Sequence, residues 1–172
     1  WKTYADGFPG NCFMKSTAGP YARRHVPFLS FKNIQENPVR CQKIVNSTQL
    51  AIDVQNEAVP EFSLFIPDNN NNGHDTSPMF ADKWLATTFE PLLNNPKFAK
   101  DMLLIVTFDE SESYTGPNYV FTAFYGSGVA PGSVSDVAYN QYSMLRTIED
   151  EFGLGTLGQN DLSAEPIKGI WK

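Results

Sequence analysis

A chain of 172 residues suits one domain or a large part of one. Its 41% hydrophobic and 13% aromatic content provides for a packed core and excludes a disordered chain. A net charge of −6 excludes a nucleic-acid partner, because no basic stripe offsets phosphate charge, yet leaves a phosphate ester open as a substrate, since a bound metal inverts the local field.

The chain opens WKTYADGFPGNCF, with neither an initiator methionine nor a signal peptide, and reads as mid-domain sequence of a processed or truncated protein. Residues 1–28 carry Gly, Pro and aromatics without a clear period and are expected to be loop with short elements. FLSFKNI, 28–34, reads as a short helix or a turn. Cys12 and Cys41 flank a basic, Pro/Gly-rich segment, and two cysteines alone cannot make a four-ligand metal site. They are either buried thiols or a disulfide, the latter closing a loop of about 30 residues, worth about 3–4 kcal/mol on chain entropy, and implying an oxidising compartment. The sequon Asn46-Ser47-Thr48 makes Asn46 a candidate glycosylation site and agrees with that compartment.

NSTQLAIDVQNEAV, 46–59, sets a capping residue ahead of Leu50 and Val54 at helical spacing and predicts a helix ended by Pro60. EFSLFIPD, 61–68, predicts a buried strand, with Asp68 closing an Asx-turn in the asparagine-rich loop that follows. Residues 77–95 start with Ser77 and Pro78 in cap and first-turn positions and place Phe80, Trp84, Leu85 and Phe89 on one helical face. The continuous apolar run 103–108 predicts a strand covered on both faces, ending in Asp109-Glu110. Residues 118–129 predict another strand, stopped by Gly126 and Gly128. Residues 140–155 predict a helix from about Ser143, with Leu145, Ile148 and Phe152 inward and Gly153 as its stop. No run reaches the roughly 18 apolar residues of a membrane span. The alternation predicts an α/β fold, a mostly parallel sheet sandwiched by helices, with its ligand site beyond the carboxyl ends of the strands.

Two motifs fit that position. Asp109 and Glu110 are adjacent carboxylates at the end of an apolar strand, and desolvating them without a counter-charge costs several kcal/mol. Either a divalent cation compensates them, or DESESYTG is a solvated turn. His74-Asp75 follow the preceding strand. Asp75 is explained by capping the helix that starts near Ser77; His74 is not, and could bind metal or serve as an acid or anion-binding group for a leaving group. Arg23, Arg24 and His25 form a small basic cluster, either an anion site or a surface turn. No GxSxG elbow, HExxH or P-loop is present.

Taken together, YARRHVPFLSF, NPVRCQKIVN, FIPDNNNNGHDTSPMFADKWL, PLLNNPKF, LLIVTFDESE and YSMLRTIEDEFGLGTLGQNDLSA, in that order, resemble the phosphoesterase family of acid phosphatases and phosphocholine-type phospholipases C, within the alkaline phosphatase superfamily. The resemblance covers nearly the whole chain. It implies an alkaline-phosphatase-like α/β fold, incomplete on its N-terminal side, with 1–172 as the C-terminal portion of a single phosphoesterase domain. It implies hydrolysis of a phosphate-ester substrate by a secreted enzyme. Asp109 and Glu110 match the acidic pair at a divalent metal of unspecified identity, His74 and Asp75 the GHD motif, and His25 the HxPF motif beside the phosphate, with Arg24 in support. The family's nucleophile and an early Glu-Asn metal pair are expected in a missing N-terminal half, which becomes a candidate partner. Gln141 stands on the substrate side where members of this subtype often carry histidine; an amide hydrogen-bonds but carries no proton. The rival reading is a non-catalytic binding protein on a degenerate phosphoesterase scaffold.

Overall fold

Strand β1, Lys2–Ala5, is the centre of the sheet in the first of two compact units, Trp1–Ala99 and Lys100–Lys172. The structure is a computed structural model and describes residues 1–111, 113 and 115–172. A short hairpin of β2 (Thr17–Ala18) and β3 (Tyr21–Ala22) comes next, then 3-10 turns at Arg23–His25 and Pro27–Ser30 and two short helices, α1 (Lys32–Gln35) and α2 (Pro38–Cys41). Strand β4 (Ile44–Asn46) pairs with β1 on one side. After helix α3 (Gln49–Gln55), β5 (Ser63–Ile66) pairs with it on the other, both in parallel.

The register decides which side chains share a face. Thr3 lies opposite Ile44 and Leu64, and Ala5 opposite Asn46 and Ile66, whereas Tyr4 lies opposite Val45 and Phe65. The Ala5 and Ile44 face carries the buried core, with Phe8, Tyr21, Val26, Leu29, Ile34 and Cys41. The Tyr4 face takes α3 through Asp53, and α4 (Pro78–Leu93) through the Phe65 ring, which meets Trp84 and Phe89 at centroid distances of 5.8 and 5.1 Å. A parallel sheet flanked by helices is the architecture expected. Cys12 and Cys41 form a disulfide with Cα atoms 5.5 Å apart, which removes the alternative of two thiols. Helix α5 (Pro96–Ala99) closes the unit.

In the second unit β6 (Leu103–Thr107) pairs antiparallel with β7 (Thr122–Gly126), Leu103 opposite Gly126 and Thr107 opposite Thr122. Helices α6 (Gln141–Phe152) and α7 (Asn160–Ser163) follow. Asn140 caps α6 through the Tyr142 and Ser143 amides, and Gly153 ends it in the left-handed conformation at φ 60°, as its sequence predicts.

Four expectations are corrected. Asn46, expected to open the helix over 46–59, instead ends β4, and the helix starts at Gln49. The helix expected to run to Pro60 stops at Gln55, because Glu57 turns at φ 55°. Strand β6 is half-buried rather than covered on both faces, with Leu103 42% exposed. Phe152, expected inward, is 41% exposed because it sits on the last turn of α6. Glu112 and Tyr114, within the acid-rich turn expected after β6, lie outside the described residues.

Candidate functional site

Parallel sheets bind ligands just beyond the carboxyl ends of their strands. In residues 1–99 those ends are Ala5, Asn46 and Ile66. Asp6 follows β1 directly; its carboxylate accepts hydrogen bonds from the Ser47 hydroxyl and, at 3.2 Å, from Asn71 Nδ2. Asp68 Oδ1 accepts from the Asn70 and Asn71 amides at 3.0 and 3.1 Å, the Asx-turn that the sequence predicts. Burial pushes the Asp68 carboxyl above the usual carboxylate range; the Asn70 amide opposes that, and the nearby Asp6 carboxylate adds to it. Sequence reasoning missed Asp6. Its one signal is its place after Lys-Thr-Tyr-Ala, a stretch too short and too polar to announce a strand.

The asparagine tract folds the loop after β5 onto itself. Asn69 donates its amide to the Pro20 carbonyl, Asp75 donates to the Asn69 carbonyl, and Asn72 Oδ1 accepts from the His74 amide at 2.8 Å. Gly73 supplies the turn at φ 86°, which L side chains rarely adopt. Ser77 rather than Asp75 caps α4, its hydroxyl accepting from the Phe80 amide at 3.3 Å. The Asp75 carboxylate meets His74 instead, with Oδ1 2.6 Å from Nδ1 and the two side chains 49% and 63% exposed.

His25 lies on the Arg23–His25 turn and is half-buried. Arg24 is exposed; Arg23 points its Nε into the protein, where that atom has no hydrogen-bond partner among the described residues. Asn46 is half-buried, with Nδ2 donating to the Phe8 carbonyl at 3.0 Å and Oδ1 accepting from the Thr48 amide and hydroxyl. The Nδ2 atom that a glycan requires thus donates one of its two hydrogens to the fold.

In residues 100–172, Asp109 and Glu110 follow β6 and are both exposed. Asp109 Oδ1 accepts from the Glu110 amide at 3.1 Å. Gln141, the first residue of α6, donates Nε2 to the Phe108 carbonyl at 2.9 Å and so fastens the helix start to the strand end that carries the acidic pair. The pair offers two carboxylates to a cation. Among the described residues no group of three or more His, Cys, Asp or Glu could hold a metal ion, so the residues present do not complete the metal centre that the resemblance implies.

Residues 1–155 match the Phosphoesterase family. The chain is 36% identical over 179 residues to a probable acid phosphatase of Kluyveromyces lactis, with 98% of this chain and 42% of that protein aligned. It is 32% identical to a phosphate-repressible acid phosphatase of Penicillium chrysogenum, over 95% of this chain and 40% of that protein. It is also 32% identical to a phosphatidylinositol-3-phosphatase of Mycobacterium tuberculosis, over 98% of this chain and 53% of that protein. The chain therefore spans about two-fifths to one-half of the length of these relatives.

Proposed function

The chain belongs to the phosphoesterase family, and from that premise we propose that the whole protein hydrolyses phosphate esters as an acid phosphatase-like enzyme, with residues 1–172 as its C-terminal portion. The observation that carries this is the His74–Asp75 pair, held on the loop beyond the carboxyl end of β5, where a parallel sheet binds its ligands. The names of the relatives, acid phosphatases and a phosphatidylinositol-3-phosphatase, point the same way.

In this reading the imidazoles of His74 and His25 serve the phosphoryl group, donating to its oxygens or moving a proton. Arg24 adds a fixed positive charge, and Asp75 and Gln141 belong to the substrate side. A divalent ion at Asp109 and Glu110 is part of the proposal on the chemistry of paired carboxylates. Two donors do not complete its coordination, so the roles named here rest on the side chains themselves. The nucleophile and further ligands are assigned to the length of the relatives that this chain does not span. A secreted location is supported by the Cys12–Cys41 disulfide, and Asn46 in its sequon is the residue that would carry a glycan there.

Hydrolysis of p-nitrophenyl phosphate by the full natural protein tests the proposal. His74→Ala is expected to lower kcat/KM by about 100-fold, the scale of a lost acid–base group. The paired change Asp109→Ala and Glu110→Ala is expected to lower both activity and bound divalent metal. Wild-type rates in both variants refute the reading.

A further inference from the structure

An Asp–His contact between sequence neighbours needs a reason, because both side chains are more than one-third exposed and free to separate in water. The loop supplies it. The His74 amide is tied to Asn72 Oδ1 and the Asp75 amide to the Asn69 carbonyl, so both backbones are fixed. Ser77 takes the helix cap, which frees the Asp75 carboxylate for the ring. We infer that Asp75 is a positioning residue, whose carboxylate holds His74 as the Nδ1–H tautomer and leaves Nε2 as the ring atom that serves a phosphate ester. This rests on the proposed hydrolysis and deepens it by giving Asp75 a role through His74 rather than on the substrate.

The chemistry of the contact fixes the tautomer. A carboxylate only accepts, so a ring nitrogen 2.6 Å from Oδ1 must carry the hydrogen. In the neutral ring Nε2 then holds a lone pair and accepts; in the imidazolium it donates. His74 can therefore give or take a proton at one atom only, and that atom is on the far side of the ring from Asp75. A free imidazole prefers the opposite tautomer, so the pairing is measurable without any turnover.

Long-range 1H–15N correlation of the histidine rings in the full natural protein is a direct assay, with the spectrum of His74→Gln assigning the signal. The neutral His74 ring is expected as the Nδ1–H form, and Asp75→Ala is expected to shift it to Nε2–H. A wild-type ring already in the Nε2–H form, or a ring unchanged by Asp75→Ala, overturns the inference. The second arm is kinetic, in the full natural protein with p-nitrophenyl phosphate. Asp75→Ala is expected to lower kcat about 10–100-fold with KM nearly constant, and Asp75→Asn, which keeps an acceptor oxygen, to recover part of the loss. A tautomer that switches while kcat stays at the wild-type value also overturns the positioning role. If His74→Ala itself leaves hydrolysis intact, the failure belongs to the proposed function and not to the pair.

Discussion

Replacing Asp53 by alanine should unfasten α3 from the central strand. Lys2 and Tyr4 project from the same face of β1 and both reach the Asp53 carboxylate, at 2.5 and 2.6 Å, while Gln49 Nε2 donates to its other oxygen at 2.9 Å. Asp53 is 5% exposed and Tyr4 is wholly buried. Alanine takes the carboxylate acceptor from the Tyr4 hydroxyl, which costs about 1–3 kcal/mol, and removes a charge-assisted bond to Lys2 worth about 1.5–3 kcal/mol. The expected loss is about 3–5 kcal/mol, the scale measured when one partner of a buried pair is deleted. Amide exchange at Tyr4 and Ala5 reads it. Adding Tyr4→Phe to the alanine variant should return about 1 kcal/mol or more, because the hydroxyl that lost the carboxylate goes too. Burial alone would raise the Asp53 pKa, but the bonds from Lys2, Tyr4 and Gln49 outweigh it and hold the carboxyl below the usual range. The contribution is therefore present above the unfolded value of about 3.9 and is lost as pH falls through the lower folded value. A loss under about 1 kcal/mol, or no recovery in the double variant, would refute this accounting of the network.

Glu149 on α6 should respond to pH in the opposite sense. It is 4% exposed, its Oε2 has no hydrogen-bond partner among the described residues, and Asp161, 1% exposed, faces it with both oxygens already taken by the Leu157 and Gln159 amides. Burial first, then the Asp161 charge, raise its pKa against the pull of Arg146, so its stabilisation is complete below about 4.3 and declines as pH rises through the raised value. Glu149→Gln should flatten urea midpoints between about pH 4 and 7, and an unchanged slope would count against the pairing. Reducing the Cys12–Cys41 disulfide should lower stability by about 3–4 kcal/mol, read as a shift of the urea midpoint with and without reductant. Gly126→Ala should destabilise the β6–β7 pair by about 1–3 kcal/mol, because an added Cβ is driven into the Met102 carbonyl; thermal unfolding reads it.

The elements legible in the sequence are those whose signals are local. Ser77-Pro78 opens α4, Gly153 closes α6, and the apolar run 103–107 becomes β6, each through a cap, a stop or a pattern that needs no distant partner. Strand β1 was not legible. Its Lys2, Thr3 and Tyr4 read as polar loop, and only the register with β4 and β5 and the distant Asp53 make them strand residues. Missing β1 hid Asp6, which is defined by following it. The Leu103 exposure was equally hidden, since an apolar run states what a strand can bury and not what covers it. For the candidate site, the sequence placed His74-Asp75 and Asp109-Glu110 after strands, and both are found there. The contact of Asp75 with His74 in place of the helix cap depended on Ser77 winning that cap, a competition decided by geometry.

The bond between Cys12 and Cys41 closes a covalent ring through residues 13–40, and Arg24 and His25 ride on it. Lys15, Arg24, Lys32 and Arg40 within that ring are exposed and invite a trypsin-like protease. A single cut there linearises the ring without releasing either piece, so nicked protein keeps its mass until a reductant is added. His25 then stays tethered through the one cysteine on its side of the cut, and a molecule nicked once would hold on to the imidazole it carries.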